Sequence, residues 1–183
     1  MRLKAILAKL IPKWMQPSGH DNTSIVSMVL LLRQPHLFSE EELRRAAERA
    51  WGISFAGGEE SKHFVLQSGH VILLKAGPHL LSLLNVPKPY LNDPSKIAKR
   101  WPKPSQQQAW GEHVAFAAVD YSGRSTDVEL EYCVLAKLVA EMVDANCIGV
   151  YVPGEHSFIP SNEQLYSELQ KIAASRDPGV SAR

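Results

Sequence analysis

The tripeptide Gly-Glu-His occurs twice in the chain, at residues 111–113 and again at residues 154–156. A carboxylate beside an imidazole can form a metal site or an acid–base pair. The first copy enters a predicted strand, the second leaves another, and a predicted helix joins the two strands. Strands joined by a helical crossover normally run parallel. The copies should therefore lie at opposite rims of the sheet, roughly 25 Å apart for a strand of about eight residues, too far to share a metal ion.

The first copy, with Trp110, Glu112 and His113, carries the stronger functional signal. A tryptophan and a histidine about one helical turn apart can line a pocket, where the indole stacks on a ligand and the imidazole donates a hydrogen bond. The structural alternative is that Trp110 fills the edge of the core and His113 bonds a backbone carbonyl, and we favour it. Trp110, Glu112 and His113 stay the candidate ligand-binding residues. Glu155 and His156 follow a proline in a turn, where polar side chains are ordinarily solvated.

No other residues combine into a recognisable catalytic or metal site. Cys133 lies in a predicted helix and Cys147 at the start of an apolar strand, positions typical of buried thiols. His63 and His70 flank a predicted hairpin turn at Ser68-Gly69, which separates them by roughly 13 Å. The sequence has no Walker-type loop, Gly-x-Gly-x-x-Gly, Gly-x-Ser-x-Gly, Cys-x-x-Cys or His-Glu-x-x-His motif. We expect no catalytic residue, no metal and no cofactor, although a Cys–His pair assembled in space stays open.

The composition is that of an ordinary globular chain. Its 183 residues suit one domain with a substantial core, and a formal net charge of +1 gives no overall field that would attract nucleic acid. No apolar run reaches the roughly eighteen residues of a membrane-spanning helix. Lys9 interrupts the apolar stretch that a secretory signal would need. We expect a cytoplasmic protein without specific nucleic-acid binding.

Residues 1–15 are predicted to form an amphipathic helix, followed by a linker to residue 23. One face carries apolar side chains and the other carries Arg2, Lys9 and Lys13, while Pro12 should kink or end the helix. Such a helix can dock on a partner, touch a membrane surface or pack on its own domain, and the sequence leaves these alternatives open. The apolar residues are Leu3, Ile6, Leu7, Leu10 and Trp14.

The remaining elements predict one α+β domain over residues 24–175, with a flexible tail at 176–183. Hydrophobic periodicity indicates a strand, a helix capped by Ser39, a hairpin and a further strand, then a polar segment over 91–108 with short helical stretches. A strand, a long helix with a capping box at Thr126 and Glu129, a strand and a helix capped by Ser161 follow. This order predicts a mixed, largely antiparallel sheet with helices mainly on one face, in a ferredoxin-like arrangement with insertions.

The pattern also resembles a family of bacterial domains of unknown function. The resemblance lies in W-x-x-H before an apolar strand, a long helix, "GVYV", "SFIPSNEQL" and the earlier "FSEEELRRAAERAW". It covers about residues 24–173. It implies the fold class and a bacterial cytosolic setting, and it carries no activity or catalytic residue to this chain.

A second candidate surface is the basic segment 88–104, in which Tyr90 and Trp101 are interleaved with lysines. Exposed aromatics among cations suit single-stranded nucleic acid or an acidic protein surface, although such lysines are usually only solvated. Because no catalytic constellation survives, we predict a non-catalytic protein-interaction domain, for which an accessory or immunity-type bacterial protein is one concrete form. The alternative is a small-molecule-binding protein or a hydrolase that uses Trp110, Glu112 and His113.

Overall fold

The computed structural model describes residues 25–56, 58, 61–91 and 94–180. The predicted N-terminal helix and linker, with Leu3, Leu7, Leu10 and Trp14, lie outside these residues. The strands are β1 (Ser27–Leu32), β2 (His63–Ser68), β3 (Val71–Ala76), β4 (His79–Val86), β5 (Ala115–Tyr121), β6 (Cys147–Val152) and β7 (Ser157–Pro160). The α-helices are α1 (Glu40–Trp51), α2 (Pro94–Ala98), α3 (Pro104–Glu112), α4 (Val128–Met142) and α5 (Glu163–Ala173). None of these helices has the length and apolar character needed to span a bilayer.

The strands form one open sheet in the order β2-β3-β4-β5-β1-β6-β7. Every neighbouring pair is antiparallel, so the sheet contains no parallel pair of neighbours. The four strands β4-β5-β1-β6 have the order and directions of a ferredoxin-like sheet, with the β2–β3 hairpin inserted and β7 added at one edge. The predicted α+β class is confirmed.

The first face of the sheet carries the main core, under α1, α4 and α5. Met28, Leu30 and Leu32 of β1 point into this core, because alternate residues of a strand face opposite sides. The Ser39 side chain accepts a hydrogen bond from the Glu42 amide, and the Glu42 carboxylate accepts one from the Ser39 amide. This reciprocal pair is the predicted capping box.

Two other predicted helix caps are displaced by one residue. Asp127, not Thr126, caps α4, because its carboxylate accepts a hydrogen bond from the Leu130 amide at 3.1 Å. Asn162, not Ser161, caps α5 through the Gln164 amide. Aspartate and asparagine are strong N-cap residues, and in each pair the residue nearer the helix takes the position.

The second face carries a smaller cluster of mainly aromatic side chains. Helix α3 packs on β6 and β7, and α2 packs on α3. A Cβ atom at Gly149 would lie 2.5 Å from a ring carbon of Phe158 and 2.6 Å from the carbonyl oxygen of Ile159. Glycine at this position therefore allows β7 and the Phe158 ring to approach β6. The cluster combines Val29, Leu31, Ala98, Trp110, Ala118 and Phe158 with partly buried neighbours.

The hairpin and the C-terminal segment differ from expectation. Ser68 pairs with Val71, so the turn is Gly69-His70 rather than Ser68-Gly69, with Gly69 at a φ of 63°. The segment 176–180, predicted to be part of a flexible tail, packs on the domain. Pro178 is buried and its carbonyl oxygen lies 2.7 Å from His79 Nε2.

Candidate interaction surface

The two Gly-Glu-His copies lie at opposite rims of the sheet. Strands β5 and β6 are each antiparallel to β1, so they run parallel to one another. Glu112 ends α3 just before β5 begins, whereas Glu155 belongs to a 3-10 turn that follows the end of β6. His156 is exposed and holds a left-handed conformation with a φ of 47°. The structure does not bring the two histidines together.

His113 is a buried connecting residue, only 2% exposed. Its Nε2 atom accepts a hydrogen bond from the Tyr90 amide at 2.9 Å, so the proton of a neutral ring lies on Nδ1, which donates to the Trp110 carbonyl oxygen. Burial lowers the pKa of the imidazole, and the backbone hydrogen bonds oppose this shift. Because both ring nitrogens already form hydrogen bonds, the imidazole links the backbone at Tyr90 to the backbone at Trp110. This agrees with the structural alternative, in which Trp110 fills the edge of the core and His113 bonds a backbone carbonyl.

Trp110 is fully buried and lies at the centre of the aromatic cluster. The centroid of its ring lies 5.0 Å from that of Tyr151, 5.1 Å from that of Trp101 and 5.3 Å from that of Phe158. These tilted and edge-to-face arrangements are the favourable ones for aromatic pairs. The indole fills a core and does not line a cleft.

Glu112 alone among the three candidate ligand-binding residues reaches solvent. Its carboxylate accepts a hydrogen bond from the Gln108 amide group at 2.8 Å and lies 3.7 Å from the Arg33 guanidinium. It lines a groove of about 270 Å³ that also contains Cys147 and Asn162. Burial raises the pKa of the Cys147 thiol to about 12, so this thiol stays protonated and does not supply a nucleophile to the groove.

Tyr90 and Trp101, predicted as exposed members of an interaction surface, are half-buried in the aromatic cluster. The Tyr90 ring lies 5.0 Å from Phe116, edge to face. The Trp101 ring lies 5.6 Å from Phe158. Their rings pack on the sheet because α2 and the chain on either side of it fold over the second face.

Three other reactive groups, those of His79, His63 and Cys133, are engaged in structural contacts. His79 is buried, with Nδ1 at 2.8 Å from the Tyr121 hydroxyl. His63 Nδ1 accepts a hydrogen bond from the Gly77 amide. Burial raises the pKa of the Cys133 thiol. No group of three or more His, Cys, Asp or Glu side chains in the described part of the chain is placed to hold a metal ion.

A surface that the sequence analysis missed lies on the second face, over β2, β3 and β4. We call it the β2–β4 face. The strand pairing aligns Leu66, Leu73 and Ser82 in one row across it. The contacts of α3 are with β6 and β7, at the other side of this face. The apolar side chains of the β2–β4 face are those of Phe64, Leu66, Val71, Leu73, Leu80 and Leu84.

The signal that could have revealed this face is the absence of polar alternation. Phe64 and Leu66 alternate with Val65, and Leu73 alternates with Ile72 and Leu74, so β2 and β3 are apolar on both sides. An antiparallel strand with one solvated face normally alternates apolar and polar residues. The β2–β4 face is therefore built to be covered.

A polar row lies between part of the β2–β4 face and the aromatic cluster, and Leu84 of β4 packs on that cluster beside the row. Ser27 of β1 donates a hydrogen bond to Asp120 Oδ1 at 2.5 Å, and Ser82 and Ser122 hydroxyls lie 2.9 Å apart. Burial raises the pKa of the Asp120 carboxyl, and the Ser27 hydrogen bond opposes this shift. In the strand register, the row that begins with Leu66 and Leu73 continues across the sheet through Ser82 and Asp120 to Ser27.

Comparison of the chain with family models, with curated proteins and with solved structures finds no match in any of the three.

Proposed function

We propose that this chain is a protein-binding domain and that the β2–β4 face is its binding surface. The observation that carries the proposal is a half-buried apolar sheet face that lies away from the contacts of α3 with β6 and β7. Large apolar patches on soluble proteins mark interaction sites. The partner remains a protein of unassigned identity, and a role as a bacterial accessory or immunity-type protein stays a prediction.

The shape of the face favours an amphipathic helix as the bound element. Three antiparallel strands are about 10 to 14 Å wide, which matches the diameter of about 10 Å of one α-helix with its side chains. Lys75 lies between Phe64 and Leu80 in the strand register, with its ammonium group 5.9 Å from the centre of the Phe64 ring. Ser82 of β4 supplies a polar group at the side of the face next to β5. A helix would place one apolar stripe on the face and keep its polar side in solvent.

The alternative, a small-molecule site at Trp110, Glu112 and His113, has weaker support. Trp110 and His113 are buried and the imidazole already bonds through both ring nitrogens. Glu112 lines the groove at the rim, but neither Trp110 nor His113 lines it. A ligand at this groove would meet the Glu112 carboxylate without the stacking and donor groups that suggested the site.

Photo-crosslinking of the full chain in its native host tests the proposal. A photoreactive residue placed at Ser68, exposed at the end of β2 on this face, should form an adduct with another protein. Leu66→Glu should reduce that adduct at least tenfold, because binding would bury an unpaired carboxylate. The matched control is Leu37→Glu, since Leu37 is 52% exposed in the loop before α1.

Circular dichroism and the melting temperature check that Leu66→Glu is folded, and Leu80→Glu on β4 provides a second variant of the same face. The proposal is wrong if Ser68 forms no adduct with another protein. It is equally wrong if the adduct survives both Leu66→Glu and Leu80→Glu in folded protein.

A further inference from the structure

The sheet formed by the described strands has two outer edges, one at β2 and one at β7. An open edge presents unpaired N–H and C=O groups, with which a strand of another chain can pair. We propose that Glu40 closes the β2 edge and Gln106 closes the β7 edge against strand addition by a second copy of this chain. These backbone groups point along the plane of the sheet and not out of the β2–β4 face, so the closure of the edges does not depend on the proposed function.

The backbone groups of β2 that point away from β3 are those of His63, Val65 and Gln67. The Gly77 amide donates a hydrogen bond to the Lys62 carbonyl oxygen, which fixes the pairing between β2 and β3. Residues that exchange hydrogen bonds with a neighbouring strand alternate along an antiparallel pair. The odd-numbered residues of β2 therefore turn their N–H and C=O groups to the outer edge.

Glu40, the first residue of α1, bonds to Gln67 at this outer edge. The Gln67 backbone N–H donates to Glu40 Oε2 at 2.9 Å, and the Glu40 backbone N–H donates to Gln67 Oε1 at 3.2 Å. The Arg44 guanidinium binds the other carboxylate oxygen, Oε1, at 2.5 Å and holds the carboxylate in place. One reciprocal pair thus occupies the outward donor of Gln67 and an N–H at the start of α1 that the helix itself leaves unpaired.

The chain that precedes β2 occupies the other end of the same edge. The His63 backbone N–H donates to Ser61 Oγ at 3.2 Å. Ala56 forms an isolated antiparallel bridge with Phe64, whose partner on the opposite side is β3. Glu40 therefore closes the end of β2 that these local contacts leave open.

The β7 edge is closed in a different way. The Ser161 amide donates to the Ile148 carbonyl oxygen, so the alternation along β7 turns the backbone groups of Phe158 and Pro160 outward. Proline has no N–H to offer a further strand. The Phe158 carbonyl oxygen accepts a hydrogen bond from Gln106 Nε2 at 2.8 Å.

The partner that fits an opened β2 edge is a second copy of this chain. Each copy would present the same strand, and two such strands can pair antiparallel about a two-fold axis through identical groups. β2 has six residues and β7 has four. The outward donor of Gln67 is held by a side chain, whereas Pro160 lacks a donor altogether. Loss of Glu40 should therefore promote self-association more than loss of Gln106.

Sedimentation equilibrium of the purified full chain tests the closure. We expect Glu40→Ala to increase the self-association constant by about tenfold or more, because the freed Gln67 N–H of each copy can pair with the other copy. Glu41→Ala is the matched control, since the Glu41 carboxylate lies in the same turn and binds Arg44 and Arg45 within α1. This control should leave the constant unchanged, and Gln106→Ala should increase it less than Glu40→Ala does.

Two further variants locate the effect at the β2 edge. Glu40→Gln keeps an acceptor oxygen for the Gln67 N–H and should behave like the parent chain. Adding Gln67→Pro to Glu40→Ala removes the freed donor, a change that an edge strand accepts at an outward position, and should return the constant to the parent value. Far-UV circular dichroism checks that every variant is folded.

Hydrogen exchange of the Gln67 amide gives an independent measurement. In Glu40→Ala this amide should exchange faster than in the parent chain at low protein concentration, and more slowly as the concentration rises and the strands pair. In the parent chain its exchange should not depend on concentration.

Equal self-association of Glu40→Ala and Glu41→Ala would overturn the role of Glu40. Association of Glu40→Ala that persists after Gln67→Pro would also overturn it, because the contact would then lie away from the β2 edge. Neither result bears on the Ser68 adduct, which tests the β2–β4 face separately.

Discussion

The two halves of the second face are built from different side chains. Over β1, β6 and β7, Trp110 of α3 is surrounded by the rings of Trp101, which lies between α2 and α3, and of Tyr151 and Phe158. Over β2, β3 and β4, the side chains are mainly aliphatic, and of the six apolar residues of the β2–β4 face, Leu84 alone packs on the aromatic cluster. The polar row of Ser27, Asp120 and Ser82 lies between the halves.

The difference teaches that an apolar surface can be buried and still be able to bind a partner. Interlocking rings with fixed mutual angles have few alternative arrangements, and His113 ties the segments that carry them. A flat aliphatic face imposes little geometry on what covers it, so it can exchange one amphipathic segment for another. We therefore expect substitutions in the aromatic half to change stability and those in the aliphatic half to change binding.

The largest effect is expected for Trp110→Ala. Removing a fully buried indole should lower the free energy of unfolding by about 3–5 kcal/mol. Tyr166→Ala is the control, because the exposed Tyr166 ring of α5 should change this free energy by less than about 0.5 kcal/mol. Urea unfolding followed by far-UV circular dichroism measures both. A loss below about 1 kcal/mol for Trp110→Ala would contradict the interlocked cluster.

An intermediate effect is expected for His113→Gln, about 1–3 kcal/mol, because two buried hydrogen bonds change. The variant should also change the pH dependence. Burial lowers the pKa of native His113 below 6.5, so the unfolded chain gains a proton first as pH falls through about 6.5, and stability decreases until the native pKa is reached. Urea midpoints at about pH 7.5 and about pH 5.5 should differ less in His113→Gln than in the parent chain.

Glu112→Gln is the neighbouring control for this measurement, since Glu112 is exposed at the end of α3. Its pH profile should follow that of the parent chain. Identical pH profiles for His113→Gln and the parent would show that His113 does not contribute to the acid sensitivity.

The smallest effect on stability is expected for Leu80→Ala, about 1 kcal/mol, because this half-buried side chain belongs to the aliphatic half. Leu81→Ala, one residue further along β4 and in the main core, should cost about 2–5 kcal/mol. Denaturant unfolding of this pair compares the two sides of one strand. Equal losses would mean that the β2–β4 face is as firmly packed as the main core.

The sequence was sufficient to predict most elements and the fold class. It was less sufficient to predict helix caps and the hairpin turn, whose positions depend on single hydrogen bonds. Periodicity located the helices and the strands except β7, and strand direction placed the two Gly-Glu-His copies at opposite rims. Asp127 displaced Thr126 at the cap of α4, because both residues suit a cap and the sequence does not decide between them. The hairpin register shifted by one residue for a similar reason, since both positions flank the same glycine.

The candidate site was less predictable than the fold. Tyr90 and Trp101 stand in a polar, basic segment, and only the tertiary packing of α2 and α3 turns their rings towards the sheet. The sequence shows that β2 and β3 are apolar on both sides, which could have indicated the β2–β4 face. The same pattern is equally typical of a sheet whose two faces are both completely covered by helices. Which helices cover which strands depends on contacts between residues far apart in the chain.

The position of β1 in the chain has a consequence for how the molecule is made. β1 comes first in the chain among the described strands and becomes the central strand of the β5-β1-β6 triplet, and the Ser27–Asp120 contact joins residues 93 positions apart. The β2–β3–β4 meander can close locally, whereas β1 has no final neighbour until β5 and β6 have left the ribosome. During translation, the apolar residues of Met28–Leu32 therefore stay without their strand partners for longer than those of β2–β4, and we expect this strand to be a chaperone-binding segment of the nascent chain.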